Sequence, residues 1–159
     1  MTGLPLLKDM ALQRERDTLA LGAALATLAR PGDILALNGP LGAGKTTLAR
    51  GFITSRTHVD EDVVSPTFTL VQVYDAEAAP IWHFDLYRLT RAADVLELGW
   101  EEAMSGGIIL VEWSERLGPL LPPQRLEVVL APHRGGEARS AKIYGGRHWK
   151  DRIAELRDG

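Results

Sequence analysis

Two short stretches of the chain are almost entirely apolar, and they predict the centre of a β-sheet. They are residues 34–37, Ile-Leu-Ala-Leu, and residues 108–111, Ile-Ile-Leu-Val. Continuous apolar runs of this length are typical of parallel strands that are covered on both faces. Helices are predicted at 19–29, where alanine and leucine residues form an apolar face, and at 46–53, directly after the first strand. Strands that alternate with helices in this way predict an α/β fold.

Alternating apolar and polar residues predict further strands outside this centre. Residues 67–74 alternate as a half-buried strand does, and residues 81–87 follow a turn as its returning partner in a hairpin. Residues 125–131 and 137–144 predict a second hairpin, and 4–12 a short edge strand. Smaller helices are predicted at 91–98 behind an N-cap at Thr90, at 101–104 and at 147–157.

The loop between the first buried strand and its helix carries the clearest chemical signal. Gly39 to Thr46 match the pattern G-x-x-x-x-G-K-[ST]. The glycines let successive backbone N–H groups turn inward around a polyphosphate, Lys45 can reach the β- and γ-phosphates, and the Thr46 hydroxyl can bind Mg²⁺. Because the loop opens a helix, unpaired N–H groups and the positive end of the helix dipole face the same anion. The sequence therefore predicts a nucleotide-binding protein.

Two acidic residues are candidates for the chemistry that this loop supports. Glu112 ends the apolar strand 108–111, and the carboxyl ends of strands line the ligand crevice of an open α/β sheet. We expect Glu112 beside the loop, where it can hold Mg²⁺ or orient a water molecule. Asp85 ends the second strand of the first hairpin and is the candidate for orienting the attacking water; the alternative is an acid that caps a neighbouring helix or pairs with Arg88. The candidate catalytic residues are thus Lys45, Asp85 and Glu112.

Other side chains add less specific signals. Thr18 lies early enough in the first helix for its side chain to face a nucleotide, the alternative being a purely structural hydroxyl. We interpret His83, which alternates with apolar neighbours, as packed and hydrogen-bonded rather than catalytic. Trp113 directly follows Glu112. Guanine-selective P-loop proteins generally carry an Asn-Lys-x-Asp reader, and Asn38 is the only asparagine of this chain. ATP is therefore the favoured nucleotide.

Composition limits the function classes further. The chain has 159 residues, of which 45% are hydrophobic and 25% charged, and this fits one domain over 1–159. It has no cysteine, which excludes disulfides and thiolate metal sites. The formal net charge of -3 indicates that the chain has no broad basic surface for binding nucleic acid. With no apolar run long enough to span a membrane and no signal-peptide pattern, we expect a soluble, cytoplasmic protein without a membrane partner.

Four sequence blocks, in their order and spacing, resemble the TsaE family. They are 42–47 (Gly-Ala-Gly-Lys-Thr-Thr), 65–70 (Ser-Pro-Thr-Phe-Thr-Leu), 83–88 (His-Phe-Asp-Leu-Tyr-Arg) and 111–113 (Val-Glu-Trp). This family, also called YjeE, comprises small bacterial ATPases of tRNA threonylcarbamoyladenosine biosynthesis. The likeness runs from about residue 15 to about residue 145. It implies an α/β P-loop NTPase fold, with a central parallel sheet flanked by antiparallel strands and helices on both faces.

The resemblance also implies activity, cofactors and partners. TsaE-like proteins bind and hydrolyse ATP with Mg²⁺ and act with the TsaD and TsaB proteins, so tRNA would be met only through that complex. By motif, Thr46 and Glu112 would be the metal ligands, Asp85 the hydrolytic residue, and 65–67 a segment that senses the γ-phosphate. The residues implied to contact the nucleotide are Gly39, Pro40, Leu41, Gly42, Ala43, Gly44, Lys45, Thr46, Thr47, Thr18, Thr67 and Trp113.

One departure and two alternatives qualify the resemblance. Pro40 stands where the family commonly has an aspartate, so any role of that acid is missing here. A small-molecule kinase could use the same loop, with Arg88 and Arg91 acting on the phosphates, although no lid-like insertion is evident. A binding module gated by nucleotide, with little turnover, is the second alternative.

Overall fold

A single mixed β-sheet organises the chain, as seen in a computed structural model that describes residues 3–57, 66, 69–133 and 136–156. The strands are β1 (Leu6–Leu12), β2 (Ile34–Asn38), β3 (Val71–Tyr74), β4 (Ile81–Asp85), β5 (Ile108–Glu112), β6 (Leu126–Pro132) and β7 (Arg139–Gly145). The α-helices are α1 (Glu15–Leu28), α2 (Lys45–Thr57), α3 (Trp100–Met104) and α4 (Arg147–Ile153), and two 3₁₀ helices span Ala92–Leu98 and Ser114–Leu120.

The strand order places parallel strands at the centre of the sheet and antiparallel strands at its edges. The order is β1-β7-β6-β2-β5-β4-β3. The pairs β6–β2, β2–β5 and β5–β4 are parallel, whereas β3 pairs antiparallel with β4, and β7 pairs antiparallel with both β6 and β1. This arrangement confirms the predicted fold class and both predicted hairpins.

The central strands β2 and β5 are apolar up to their last residues because helices cover both faces of the sheet. In β2, Leu35 and Leu37 face the core beneath α1, α2 and α4, whereas Ile34 and Ala36 face a second core. The second core lies beneath α3 and the two 3₁₀ helices, which contribute Trp100, Val95 and Leu117. Each buried run in the sequence therefore supplies two cores with alternate residues.

Helices α1 and α2 pack against each other at two glycines. A Cβ atom built on Gly22 would collide with the carbonyl oxygen of Leu48 and lie 2.8 Å from the backbone nitrogen of Phe52. One built on Gly51 would collide with the carbonyl oxygen of Leu19. Since real Cβ atoms essentially never approach another atom within 3.0 Å, these two positions allow the backbones to meet. The contact fixes where α2, which begins at the phosphate-binding loop, lies on the sheet.

The C-terminal helix α4 completes the first core. Trp149 and Ile153 of α4 are buried there. Arg152 lies with its guanidinium carbon 3.7 Å from the Trp149 ring centroid and donates to the Asp33 carboxylate at 2.7 Å. Its guanidinium also donates to the Leu28 carbonyl at the end of α1. Across the described residues, no helix has the length and apolarity needed to cross a membrane.

Several predicted boundaries were wrong. The strand predicted at 67–74 begins at Val71, because Leu70 has a positive φ of 67° that no strand residue adopts; residues 67 and 68 lie outside the described part of the chain. Thr90 is not the N-cap of the following helix, since a 3₁₀ helix begins at Ala92 and Arg91 precedes it. The C-terminal helix ends at Ile153 rather than continuing to 157.

Candidate functional site

The glycine-rich loop joins β2 to α2 in a conformation that needs its glycines. Gly39 has φ 145°, and a Cβ atom there would collide with the carbonyl oxygen of Leu130 on β6. Gly44 has φ 102°, which lies in the region where residues with side chains are strained. The loop therefore passes close to β6 and delivers its backbone to the start of α2, where the first helical N–H groups lack partners within the helix.

The parallel strands bring the predicted acids to this loop. Leu37 of β2 pairs with Glu112 of β5, and Glu112 pairs in turn with Asp85 of β4. All three strands thus end at the same edge of the sheet, which is the edge that carries ligands in open α/β sheets. The two carboxylates are almost fully buried, with 4% of Asp85 and 2% of Glu112 exposed.

Glu112 is held by two side chains from different elements. The Thr46 hydroxyl, in the first turn of α2, donates to the carboxylate, with distances of 3.0 Å to Oε1 and 3.1 Å to Oε2. The ring of His83, from β4, lies with Nε2 2.7 Å from Oε2. His83 is thus packed and hydrogen-bonded, as predicted.

Lys45 is buried at the start of α2 without a carboxylate at ion-pair distance within the described part of the chain. Its ammonium group donates to the Gly39 carbonyl at 2.6 Å and lies 3.4 Å from the centroid of the Trp113 ring. Burial lowers the pKa of Lys45 below its usual 10.5, and the negative charges of Glu112, Glu115 and Asp85 oppose that shift. Among the described residues its partners are this carbonyl and this ring, which leaves the desolvated ammonium group with capacity for an anion.

Asp85 and Trp113 also line the site. Asp85 accepts a hydrogen bond from the backbone N–H of Tyr87 at 3.1 Å, which fixes the turn after β4. Trp113 has a left-handed backbone, φ 60°, and its ring lies 4.9 Å from that of Tyr87. Positive φ in a non-glycine residue is costly and clusters at functional sites. Here it turns the chain after Glu112 so that the Trp113 ring covers Lys45.

These residues line a cleft of about 450 Å³. Of the predicted catalytic, nucleotide-binding and metal-binding residues, those on its wall are Thr18, Leu41, Gly42, Gly44, Lys45, Thr46, Thr47, Asp85, Glu112 and Trp113. Gly39, Pro40 and Ala43 belong to the loop but do not line the cleft, and the Gly39 carbonyl accepts a hydrogen bond from Lys45. Thr67, and with it the segment 65–67 except Pro66, lies outside the described residues. Arg88 and Arg91, the kinase candidates, do not line this cleft.

Sequence reasoning missed Arg139, Glu15 and Glu137, which also line the cleft. Arg139, the first residue of β7, donates to the carbonyls of Ala43 at 3.1 Å and Gly42 at 3.2 Å. The same guanidinium donates to Gly136 and Ala138 on its own hairpin. It therefore ties the loop to the second hairpin. No local motif marks Arg139, because its place depends on β7 lying beside β6.

The donor set fits a magnesium nucleotide. Mg²⁺ prefers oxygen ligands and usually keeps several waters, with one or two carboxylates and substrate phosphates completing its shell. The adjacent oxygens of Thr46 and Glu112 could supply part of such a shell. Among the described residues there is no group of three or more His, Cys, Asp or Glu side chains that could enclose a metal by themselves.

The loop and the strand-end carboxylate define the class of the protein. A glycine-rich loop between a central parallel strand and a helix, with a carboxylate on the helix's threonine, is the arrangement of P-loop α/β proteins. A family model described as "Threonylcarbamoyl adenosine biosynthesis protein TsaE" matches residues 12–141. The chain belongs to the TsaE family.

Individual relatives agree with this assignment. The tRNA threonylcarbamoyladenosine biosynthesis protein TsaE of Rickettsia felis is 44% identical over 121 residues, which cover 76% of this chain and 71% of the relative. The protein of the same name from Bacillus subtilis is 39% identical over 115 residues, covering 72% and 71%. A crystal structure of Bacillus subtilis YdiB matches with a TM-score of 0.78 and 29% identity, covering 96% of this chain and 94% of that one.

Proposed function

We propose that this chain binds and hydrolyses ATP with Mg²⁺ in the cytoplasm, and that the hydrolysis cycle serves tRNA threonylcarbamoyladenosine biosynthesis together with TsaD and TsaB. The observation that carries the proposal is the meeting of Lys45, Thr46, Asp85 and Glu112 in one cleft at the start of α2. The biosynthetic role rests on family membership and on the names of the relatives.

Phosphate binding uses the loop, the first turn of α2 and Lys45. Backbone N–H groups at a helix start, together with the helix dipole, favour an anion. Lys45 would exchange its contacts with Gly39 and the Trp113 ring for phosphate oxygens. Because its charged form is destabilised by burial, a phosphate anion beside it would stabilise the ammonium group strongly.

Three oxygen-bearing side chains would bind the metal and orient the attacking water. Thr46 and Glu112 would hold Mg²⁺, which when bound neutralises charge on the β- and γ-phosphates. Asp85 would accept a hydrogen bond from the attacking water and hold it in line with the γ-phosphate. Its position on the cleft wall supports this role, and its hydrogen bond from the Tyr87 N–H holds the carboxylate there.

The nucleotide is proposed to be ATP because a guanine reader is missing. Asn38, the only asparagine in the sequence, accepts a hydrogen bond from the Ser114 hydroxyl at 2.7 Å, so its side chain joins β2 to the segment after β5. Its position at the end of a central strand suits this structural role.

We expect the partner proteins to stimulate ATP hydrolysis, because the arginine that lines the cleft is already engaged. Within the part of the cleft that the structure describes, Arg139 is the arginine on its wall, and its guanidinium is engaged with backbone carbonyls. An arginine supplied in trans contributes about 10³ to 10⁵ in rate in related P-loop enzymes. We therefore expect slow hydrolysis by the chain alone and faster hydrolysis with TsaD and TsaB.

The test measures ATP binding and ATP turnover with and without TsaD and TsaB. Lys45→Ala should lose binding, whereas Asp85→Asn should bind ATP and turn it over at least about 10²-fold more slowly, the lower range of a positioned proton-accepting group. Glu97→Gln, an exposed acid outside the cleft, is the matched control and should behave as wild type. Failure of the wild type to bind ATP, or full turnover by Asp85→Asn, would contradict the proposal.

A further inference from the structure

His83 is a buried polar residue with apolar neighbours in β4. It is completely buried in β4, and its neighbours Ile81, Trp82 and Phe84 are apolar. Side chains alternate across a strand, so His83 shares a face with Ile81 and Asp85, which is the face toward α2. From there its ring reaches Glu112 on the neighbouring strand.

The direction of the hydrogen bond between the two side chains follows from the role proposed for Glu112. A carboxylate that binds Mg²⁺ is ionised and only accepts, so Nε2 of His83, 2.7 Å from Oε2 of Glu112, is the donor. The other ring nitrogen, Nδ1, is buried and has no hydrogen-bond partner within the described residues. An unpartnered buried nitrogen destabilises a fold, and an apolar side chain of the same size would avoid that cost. Core packing therefore does not account for a histidine here.

The contact with Glu112 does account for it. Without His83, the Glu112 carboxylate would keep, among the described side chains, only its hydrogen bond from the Thr46 hydroxyl, and Thr46 is itself a proposed metal ligand. A second hydrogen bond to Oε2, from the neighbouring strand β4, fixes the carboxylate's orientation independently of that hydroxyl. Partners of this kind, behind a ligating carboxylate, orient the ligand and tune metal affinity.

We propose that His83 is a positioning residue for the Mg²⁺-binding carboxylate of Glu112. Through its Nε2–H it holds Glu112 ready for the metal, and it thereby sets how strongly nucleotide binding depends on Mg²⁺. The inference rests on the proposed function, because it assumes that Thr46 and Glu112 bind Mg²⁺ beside ATP.

The experiment measures the affinity for a fluorescent ATP analogue, first in EDTA and then during a Mg²⁺ titration. His83→Phe keeps a ring but removes the donor. We expect its affinity in EDTA to stay near that of wild type, while the Mg²⁺ concentration for half-maximal effect rises about 10- to 100-fold, as is typical for such partners. Phe84→Leu, on the opposite face of β4, is the control for simple loss of packing and should keep the wild-type Mg²⁺ dependence.

Two polar variants separate positioning from folding, and they remain informative if His83→Phe does not fold. The amide nitrogen of His83→Gln reaches about as far as Nε2 and should restore most of the Mg²⁺ dependence. The amide nitrogen of His83→Asn lies near the position of Nδ1, so this variant should not restore the Mg²⁺ dependence. Equal Mg²⁺ dependence in His83→Gln and His83→Asn, or a wild-type value in His83→Phe, would overturn the inference. A wild type that binds ATP without any effect of Mg²⁺ would instead contradict the proposed metal site.

Discussion

The glycine contact between α1 and α2 leads to a prediction that opposes helix propensity. Gly22 lies within α1, where alanine is ordinarily better than glycine by about 1 kcal/mol. Propensity alone therefore predicts that Gly22→Ala stabilises the protein. The structure predicts the reverse, because the new methyl group would meet the backbone of α2 at Leu48 and Phe52, which cannot rotate away as a side chain can.

The size of the effect follows from the close approach. A Cβ at position 22 would need the two helices to separate until its contacts exceed 3.0 Å, and α2 cannot move without its first residues, Lys45 and Thr46. Overpacking of a tight core costs about 1–3 kcal/mol, and contact with backbone favours the upper end. After subtracting the gain of about 1 kcal/mol in propensity, we expect a net loss of roughly 2 kcal/mol. For a chain of this length that lowers Tm by roughly 4–8 °C.

The assay is urea and thermal unfolding of Gly22→Ala together with Ala23→Gly. The second variant reports propensity in the same helix and should lose about 0.5–1 kcal/mol. Gly22→Ala should lose more than Ala23→Gly and should also bind ATP more weakly, because the start of α2 is displaced. A Gly22→Ala protein as stable as wild type, or more stable, would refute the reasoning from backbone contact.

Three further predictions follow from buried charges and from the loop. Lys45→Met should be more stable than wild type at neutral pH, because burial lowers the pKa of Lys45; the difference should shrink as pH rises toward 10.5, where the folded wild type loses the proton before the unfolded chain does. A constant difference in urea unfolding across that range would contradict this. Arg152→Met leaves the Asp33 carboxylate without its guanidinium partner and should lose about 3 kcal/mol in the same assay, whereas a loss under 1 kcal/mol would count against a structural pair. Arg139→Ala removes charged hydrogen bonds to Gly42 and Ala43 and should weaken ATP binding about 10-fold, measured by calorimetry; unchanged affinity would mean that the loop holds its shape alone.

Much of the site was predictable because its parts are local or lie at strand ends. The loop from Gly39 to Thr46 is read directly from consecutive residues. Asp85 and Glu112 could be assigned to one edge because each follows a recognisable strand, and parallel strands end together. Thr18 was a candidate because of its place near the start of α1, and it lines the cleft.

The remaining features depend on geometry that sequence patterns do not encode. The contact of His83 with Glu112 needs the register of β4 against β5, in which His83 pairs with Leu110. The approach of Arg139 to the loop needs the order of β7, β6 and β2 across the sheet. The left-handed turn at Leu70, which shortened a predicted strand, is stabilised by one local and one long-range backbone hydrogen bond: its N–H donates to the Pro66 carbonyl, and its carbonyl accepts from the Asp85 N–H on β4.

The central claim is that ATP hydrolysis in this cleft serves tRNA modification. It is tested most directly by reconstituting threonylcarbamoyladenosine formation on tRNA with TsaD, TsaB and this chain, using wild type, Lys45→Ala and Asp85→Ala. We predict that modified tRNA accumulates over repeated cycles only with the wild type. Equal accumulation with either variant, or with the chain left out, would contradict the account.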